Sequence, residues 1–436
     1  MKTNKIITAH EIAKENRARM MNMGVIVLSA IIRLWYILIT DVGVRQHDLG
    51  TSTNLYDNVI NPGHLGYVEY LVKFRALPDF NPFSVFSYYH PPLHHIVAAF
   101  FLKAADMLGF REPGVYEAIQ IPTFIYGVLT VIITYLILKE LCDKERRITL
   151  PLLLVAVHPG LVYMTGSINN DMMGTMFTFL CIFFTIRWIK SAYQLSYLIL
   201  MALSVGFGII AKPNVGVMAI PMGIIMLMHM IDMIKSRNTG KIIGQYVLFG
   251  VLSLPIGLSW TIRNFILFRE HPGIPAPGAH QYIADYPLHE IFGLPTSAAF
   301  RYPFHAENAI YCHNAWQIMF KTSLFTEIWP DEISPLALFF CQLLYVFAVI
   351  LGLTLAVLTV VKSVRMIRQG NTMLGTFILS GYASIVLTYI AFVIKYPYTC
   401  SCDFRYIAVS LLYASIAMLP IGSKSTSNSI NSDVKA

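Results

Sequence analysis

Asp48 in RQHDLG, Asp171 in SINNDMMG, Lys212 in AKPN, Arg263 in WTIRNF and Arg405 in CDFRYI each stand at the end of a long apolar run. Two acids and three cations placed this way could meet in one pocket, and together they suit chemistry on an anionic lipid head group. The cations would neutralise a phosphate, and a carboxylate would take a proton. Each residue also has a plainer reading. Asp171 suits a helix start, where the helix dipole favours an acid. Lys212 and Arg263 suit anchors whose stems lie along apolar surface while the charge reaches water.

The histidines carry a second set of options. His90, His94 and His95, in YYHPPLHH, are residue types that ligate a divalent metal, but Pro91 and Pro92 interrupt the helical relation between His90 and His94. Without a metal, His95 belongs to a polar interfacial face and His90 caps a helix or shapes a ligand site. A divalent metal stays open as a cofactor. His47, beside Asp48, either tunes that carboxylate or faces water, and Asn170 completes the polar turn before Asp171. Asp331 and Glu332, in WPDEISP, start a helix or contact a metal or acceptor. Arg33 falls inside an apolar run and requires a buried partner. Cys142, Cys181, Cys312, Cys341, Cys400 and Cys402 show no metal-type spacing.

These residues need elements to hold them, and the composition says which kind. The 436 residues are 56% hydrophobic and only 13% charged, with a mean hydropathy of +0.59; a soluble protein carries about 25% charged residues. An all-α polytopic membrane protein is expected. Apolar segments of spanning length fall near 21–40, 119–138, 148–166, 171–189, 195–211, 214–234, 243–262, 336–361, 374–394 and 405–421, about ten transmembrane helices. Residues 1–20 are polar and basic and read as a cytoplasmic tail with no signal peptide.

Orientation follows from the basic clusters, which gather at every second junction, among them KELCDKERR around Lys139–Arg147. This alternation holds only if the segment after His90 does not cross. On a helical wheel from Leu93 to Leu108, His95, Ala99, Lys103 and Asp106 share one arc while Leu93, Ile96, Val97, Phe100, Met107 and Leu108 fill the other. The segment therefore reads as an interfacial helix within a long first outer loop, 41–118. A second large outer loop spans 263–335, and 422–436 is expected to be disordered. The chain forms one membrane domain. The net charge of +8 is a topology signal, so no nucleic-acid partner is expected; membrane lipids are.

An acid shortly after the first span, H-P-P-L opening an interfacial helix, N-N-D at an outer helix start and an R-N pair ending a later helix occur here in order. The set resembles the GT-C fold of integral-membrane glycosyltransferases, in the protein O-mannosyltransferase and aminoarabinose-transferase branch. That resemblance implies an inverting transferase, moving a monosaccharide from a polyprenyl-phosphate donor to an acceptor hydroxyl on the extracytoplasmic face, in a bacterial cytoplasmic membrane. It implies Asp48 as the carboxylate that activates the acceptor, although His47 stands where many members carry the first acid of an Asp-Glu pair. It also implies Asp171 as a second functional acid, His90 in the H-P-P motif, and Lys212 and Arg263 near the donor phosphate; Arg405 joins them by position. The acceptor stays open between glycan, lipid and protein. A transporter or flippase for an anionic lipid or glycan is the alternative from another class, but it would favour internal repeats and midplane charges, whereas here no repeat is visible and the notable charges sit at outer ends. A lipid-linked polymerase or ligase, with a diphosphate-linked donor, shares the substrate class.

Overall fold

In the computed structural model, residues 9–420 are described except 45–46, 49, 51–58, 235–238, 272, 274–281, 295–299, 306–311, 328–329 and 331. The expectations for Asp331, for the first eight residues, for Lys235 and Arg237, and for the tail 422–436 lie outside the described residues.

The protein is an all-α polytopic membrane protein. Its long elements are α1 (Ala9–Ile39), α4 (Gln120–Leu141), α7 (Asp171–Lys190), α9 (Ala219–Ile234), α10 (Thr239–Phe268), α13 (Pro335–Arg368) and α14 (Thr372–Lys395). With short turns extending α4 and α9, these give seven described helices long and apolar enough to cross a membrane, and the shorter α8 (Leu195–Ala211) is apolar as well. Two expected spans are interrupted. Segment 148–166 is divided into α5 (Thr149–Ala156) and α6 (Pro159–Tyr163), and 405–421 begins in a 3-10 turn, Phe404–Tyr406, before α15 (Ser410–Met418).

The break at 157–158 has a local cause, since Pro159 has no N–H to give and is suited to the first turn of a new helix. It leaves α5 carbonyls without helical partners inside the membrane. Arg33 supplies one: its Nη1 donates to the Ala156 carbonyl at 2.6 Å and also to the Ser29 hydroxyl. This is the partner the sequence could not name. Helix α7 lies between α4 and α8 and carries Met172, Met176, Phe179, Ile182 and Ile186 into the main core. Helix α8 packs closely on α10 because Gly206 has no side chain: a Cβ there would meet the Ser253 carbonyl and Ile256 Cβ, both at 3.1 Å.

The segment between α1 and α4 contributes α2 (Gly63–Phe74) and α3 (Leu93–Met107), joined through Leu65, Val68, Ala98, Leu102, Val115 and Ile119. At 15 residues, α3 is about 22 Å long, short of the roughly 30 Å hydrocarbon core. Its faces match the helical wheel, with Ile96, Phe100, Met107 and Leu108 exposed. One expectation is corrected. His95 does not form a polar face toward water; it is fully buried against α2, because the opposite, apolar face is the one turned outward. Between α10 and α13, α11 (Leu288–Ile291) and α12 (Ala315–Phe325) are described. Helix α12 packs against α6 and against the turns Thr399–Cys402 and Phe404–Tyr406.

Candidate functional site

The site starts from Asp48, in the loop after α1. Its backbone adopts φ 58°, a left-handed conformation that an aspartate tolerates better than most residues. Neighbouring groups keep it there. His47 Nδ1–H donates to the Val42 carbonyl at 3.3 Å, its Nε2 takes the Tyr36 hydroxyl at 3.0 Å, and its backbone carbonyl accepts from Ile168 N–H at 3.0 Å. His47 is fully buried and both ring nitrogens are engaged. It locks the turn that presents Asp48, and it neither faces water nor touches the carboxylate.

Three groups converge on Asp48 Oδ2. Arg405 Nη1 donates at 2.9 Å, Asn169 Nδ2 donates at 3.1 Å, and His64 Nε2 stands 3.6 Å away. Oδ1 has no partner among the described residues. Burial alone would raise the carboxyl, but the Arg405 cation, His64 and the Asn169 hydrogen bond hold it well below the usual carboxylate range.

Asp171 is the first residue of α7, where helix N–H groups favour an anion. It forms an ion pair with Lys212, and Arg405 Nε lies 3.7 Å from its Oδ2. The helix-cap reading is therefore not the whole of its role. Lys212 follows α8 in an extended conformation and crosses α7 at Gly174, where a Cβ would meet its own Cβ at 2.9 Å. Asn170 donates to the Ala211 carbonyl at 2.7 Å, which ties the start of α7 to the end of α8. Both cations also face the Tyr406 ring, at 5.0 Å for Lys212 and 5.2 Å for Arg405. Asp403 caps the turn that carries Arg405 by accepting from its N–H at 2.8 Å.

Asp48, Asp171, Asp403 and Arg405 line one cleft together with Glu327, Thr322, Thr326, Ser167 and Tyr163; its volume is about 530 Å³ with the open mouth included. A second, smaller hollow reaches Arg405 from the side of Thr175, Thr178, Asn214 and Thr388. Exposure separates the two acids: the Asp48 side chain is 33% exposed and that of Asp171 5%. Only the former is open to an incoming hydroxyl.

Arg263 is not part of this constellation. It donates to the Pro78 carbonyl and to Asn264 Oδ1 and packs on Trp260 and Phe268. With Trp260 bonded to the Tyr89 carbonyl at 3.1 Å and Glu270 accepting from Asn81 at 2.7 Å, it fastens segment 78–89 to the end of α10. His90 stacks on His64 with ring centroids 5.0 Å apart, beside the carboxylate. His94 Nε2–H donates to the Ile168 carbonyl at 2.9 Å, while His95 Nε2 meets His64 Nδ1 at 2.9 Å. The nitrogens a shared metal would need are thus turned elsewhere, and among the described residues no three His, Cys, Asp or Glu side chains form a metal-holding group.

His64, Asn169, Asp403 and Glu327 were not singled out from the sequence. Asn169 had a signal, as the other asparagine of N-N-D. His64 and Glu327 reach the site only through contacts far apart in the chain, and Asp403 through the turn that it shares with Arg405.

Residues 89–260 match the family model described as dolichyl-phosphate-mannose-protein mannosyltransferase. The matched stretch is less than half of the chain and contains His90, Asp171 and Lys212, but neither Asp48 nor Arg405. It agrees with the branch that the sequence motifs resemble. Comparison with curated proteins gives no match. Among solved structures, the chain is similar to the Archaeoglobus fulgidus oligosaccharyltransferase tethered with an acceptor peptide, at 13% identity and a TM-score of 0.47, covering 91% of this chain and 49% of that one. It is also similar to ArnT from Cupriavidus metallidurans bound to undecaprenyl phosphate, at 13% identity and a TM-score of 0.39, covering 91% of this chain and 76% of that one. The chain spans about half the length of the archaeal enzyme.

Proposed function

We propose that the protein is an inverting glycosyltransferase that moves a monosaccharide from a polyprenyl-phosphate donor to an acceptor hydroxyl on the extracytoplasmic face of the membrane. The observation that carries this reading is the meeting of Asp48, Asp171 and Arg405, from three separate segments, at one open cleft, with Lys212 paired to Asp171 behind them. The family match over residues 89–260 supports the donor class.

A sugar on a lipid phosphate already has a good leaving group, so the chemical demand is to stabilise charge on the departing phosphate. Arg405 meets it best. Its Nε has no hydrogen-bond partner among the described residues, while its Nη1 stays on Asp48. Lys212, held by Asp171, adds a second cation. As the anomeric carbon becomes cation-like, the acceptor oxygen attacks from the opposite face and its proton goes to the free Oδ1 of Asp48. Asp171, buried and paired, positions the two cations. The remote lipid chain would lie along the membrane-facing helices.

The test is the product. Purified protein in lipid nanodiscs, offered a panel of polyprenyl-phosphate sugars and an acceptor extract, should release polyprenyl phosphate and form a glycoside of inverted anomeric configuration. Retained configuration would sink the single-displacement scheme, and polyprenyl diphosphate as the only lipid product would assign the site to a diphosphate-linked donor.

A further inference from the structure

Behind Asp48 lies a histidine pair that the scheme above does not use. His64, on α2, has its Nδ1 2.9 Å from His95 Nε2 on α3, with the two rings 2° from parallel. The His95 ring is clamped by Tyr67, whose ring centroid lies 4.4 Å away. Both histidines are buried, His95 completely. A buried hydrogen-bonded pair of this kind fixes which nitrogen carries each proton.

His95 Nδ1 makes no hydrogen bond among the described residues, so the tautomer is read at the other end of the pair, with His64 Nδ1–H donating to His95 Nε2. Neutral His64 then presents a bare Nε2 to Asp48 Oδ2 at 3.6 Å, a separation too long for a hydrogen bond and suited to two groups with no proton between them. We propose that His64, aimed by His95, is a positioning residue and proton relay for Asp48, taking over the proton that Asp48 removes from the acceptor hydroxyl. This rests on the transferase reading and deepens it.

The step balances. The acceptor O–H bond breaks and its electron pair forms the bond to the anomeric carbon, while the bond from that carbon to the phosphate oxygen breaks and its pair leaves with the phosphate. The proton passes to Asp48 Oδ1. A neutral carboxyl no longer pairs with Arg405, so half a turn about its side-chain bond brings the proton to His64 Nε2. The carboxylate is restored beside an imidazolium, and the proton then leaves through the cleft mouth.

The order of basicity agrees. Burial pushes His64 down to about 4 against the pull of Asp48, and Asp48 is held lower still. Both shifts favour an anionic carboxylate beside a neutral ring as the resting state. The groups that face His64 are Asp48 from the loop after α1, His90 from the turn before α3, His95 from the first turn of α3, Lys212 from the end of α8 and Arg405 from the turn before α15. Arg405 and Lys212 act against the imidazolium, which makes the proton's stay on His64 brief.

The test compares wild type, His64→Gln and Asp48→Asn in nanodiscs, reading polyprenyl phosphate release from pH 4 to 8. Glutamine keeps a polar group of similar reach but holds no proton. His64→Gln should lose roughly a hundredfold in kcat, keep its donor KM within about twofold, and lose the fall in rate that the wild type shows as pH drops toward the His64 value. The ¹⁵N spectrum of histidine-labelled protein should place the His64 proton on Nδ1 in the wild type. Wild-type rates and pH profile in His64→Gln, with Asp48→Asn inactive, would overturn the relay and leave the transferase standing. A wild type that turns over no donor overturns both.

Discussion

Asp48, Lys212 and Arg405, the residues that the proposed function uses, stood out in the sequence because a charge at the end of a membrane span is costly unless it has a use. Arg263 gave the same signal, and the structure shows it on a loop carbonyl, that of Pro78, apart from Asp48 and Arg405. His64 gave no signal at all, since it lies in a polar loop and gains meaning only when α2 meets Asp48. Its environment has a consequence for stability. The His64 ring titrates near 4 in the folded protein against an ordinary 6.5, so the unfolded chain binds its proton first as pH falls. The stability tied to neutral His64 is complete above about 6.5 and is lost as pH falls toward 4. Thermal melting of His64→Gln should therefore decline less steeply than wild type across that window; equal slopes would show that the ring is not held neutral by burial.

At the scale of elements, the periodicity of apolar residues located the long helices and the outward face of α3. It missed the breaks in 148–166 and before α15, because hydropathy averages over a window and a break changes two or three residues. Pro159 was the visible clue to the first. The breaks matter for the site: the short helix after the first carries Tyr163 to the cleft and the turn at the second carries Arg405, where a straight helix would carry them past it. Close packing of α8 on α10 holds the Lys212 end of this arrangement. Leucine at Gly206 would press on the Ser253 carbonyl and Ile256, and overpacking of this kind costs about 1–3 kcal/mol. Gly206→Leu should unfold at correspondingly lower denaturant in detergent, whereas wild-type resistance would mean that the two helices separate without loss.

For the whole molecule, the proposed function requires that α3 lie at the interface and α4 return to the inner side, so that basic clusters would face the cytoplasm and the cleft would face out. Cys142, in the junction after α4 and partly exposed, reports on this directly. A membrane-impermeant maleimide should label it in inverted vesicles and not in right-side-out ones, with Cys142→Ser giving the background. The reverse pattern would turn the cleft toward the cytoplasm and remove the extracytoplasmic reaction.

The central claim is that the exposed carboxylate of Asp48, held by Arg405, takes the acceptor's proton. It is tested most directly by the rate of polyprenyl phosphate release from a donor the wild type uses, measured for Asp48→Asn in nanodiscs alongside its melting temperature. A fall of at least about a hundredfold with melting preserved is the expected result. A rate equal to wild type would contradict the account and transfer the proton-accepting role away from Asp48.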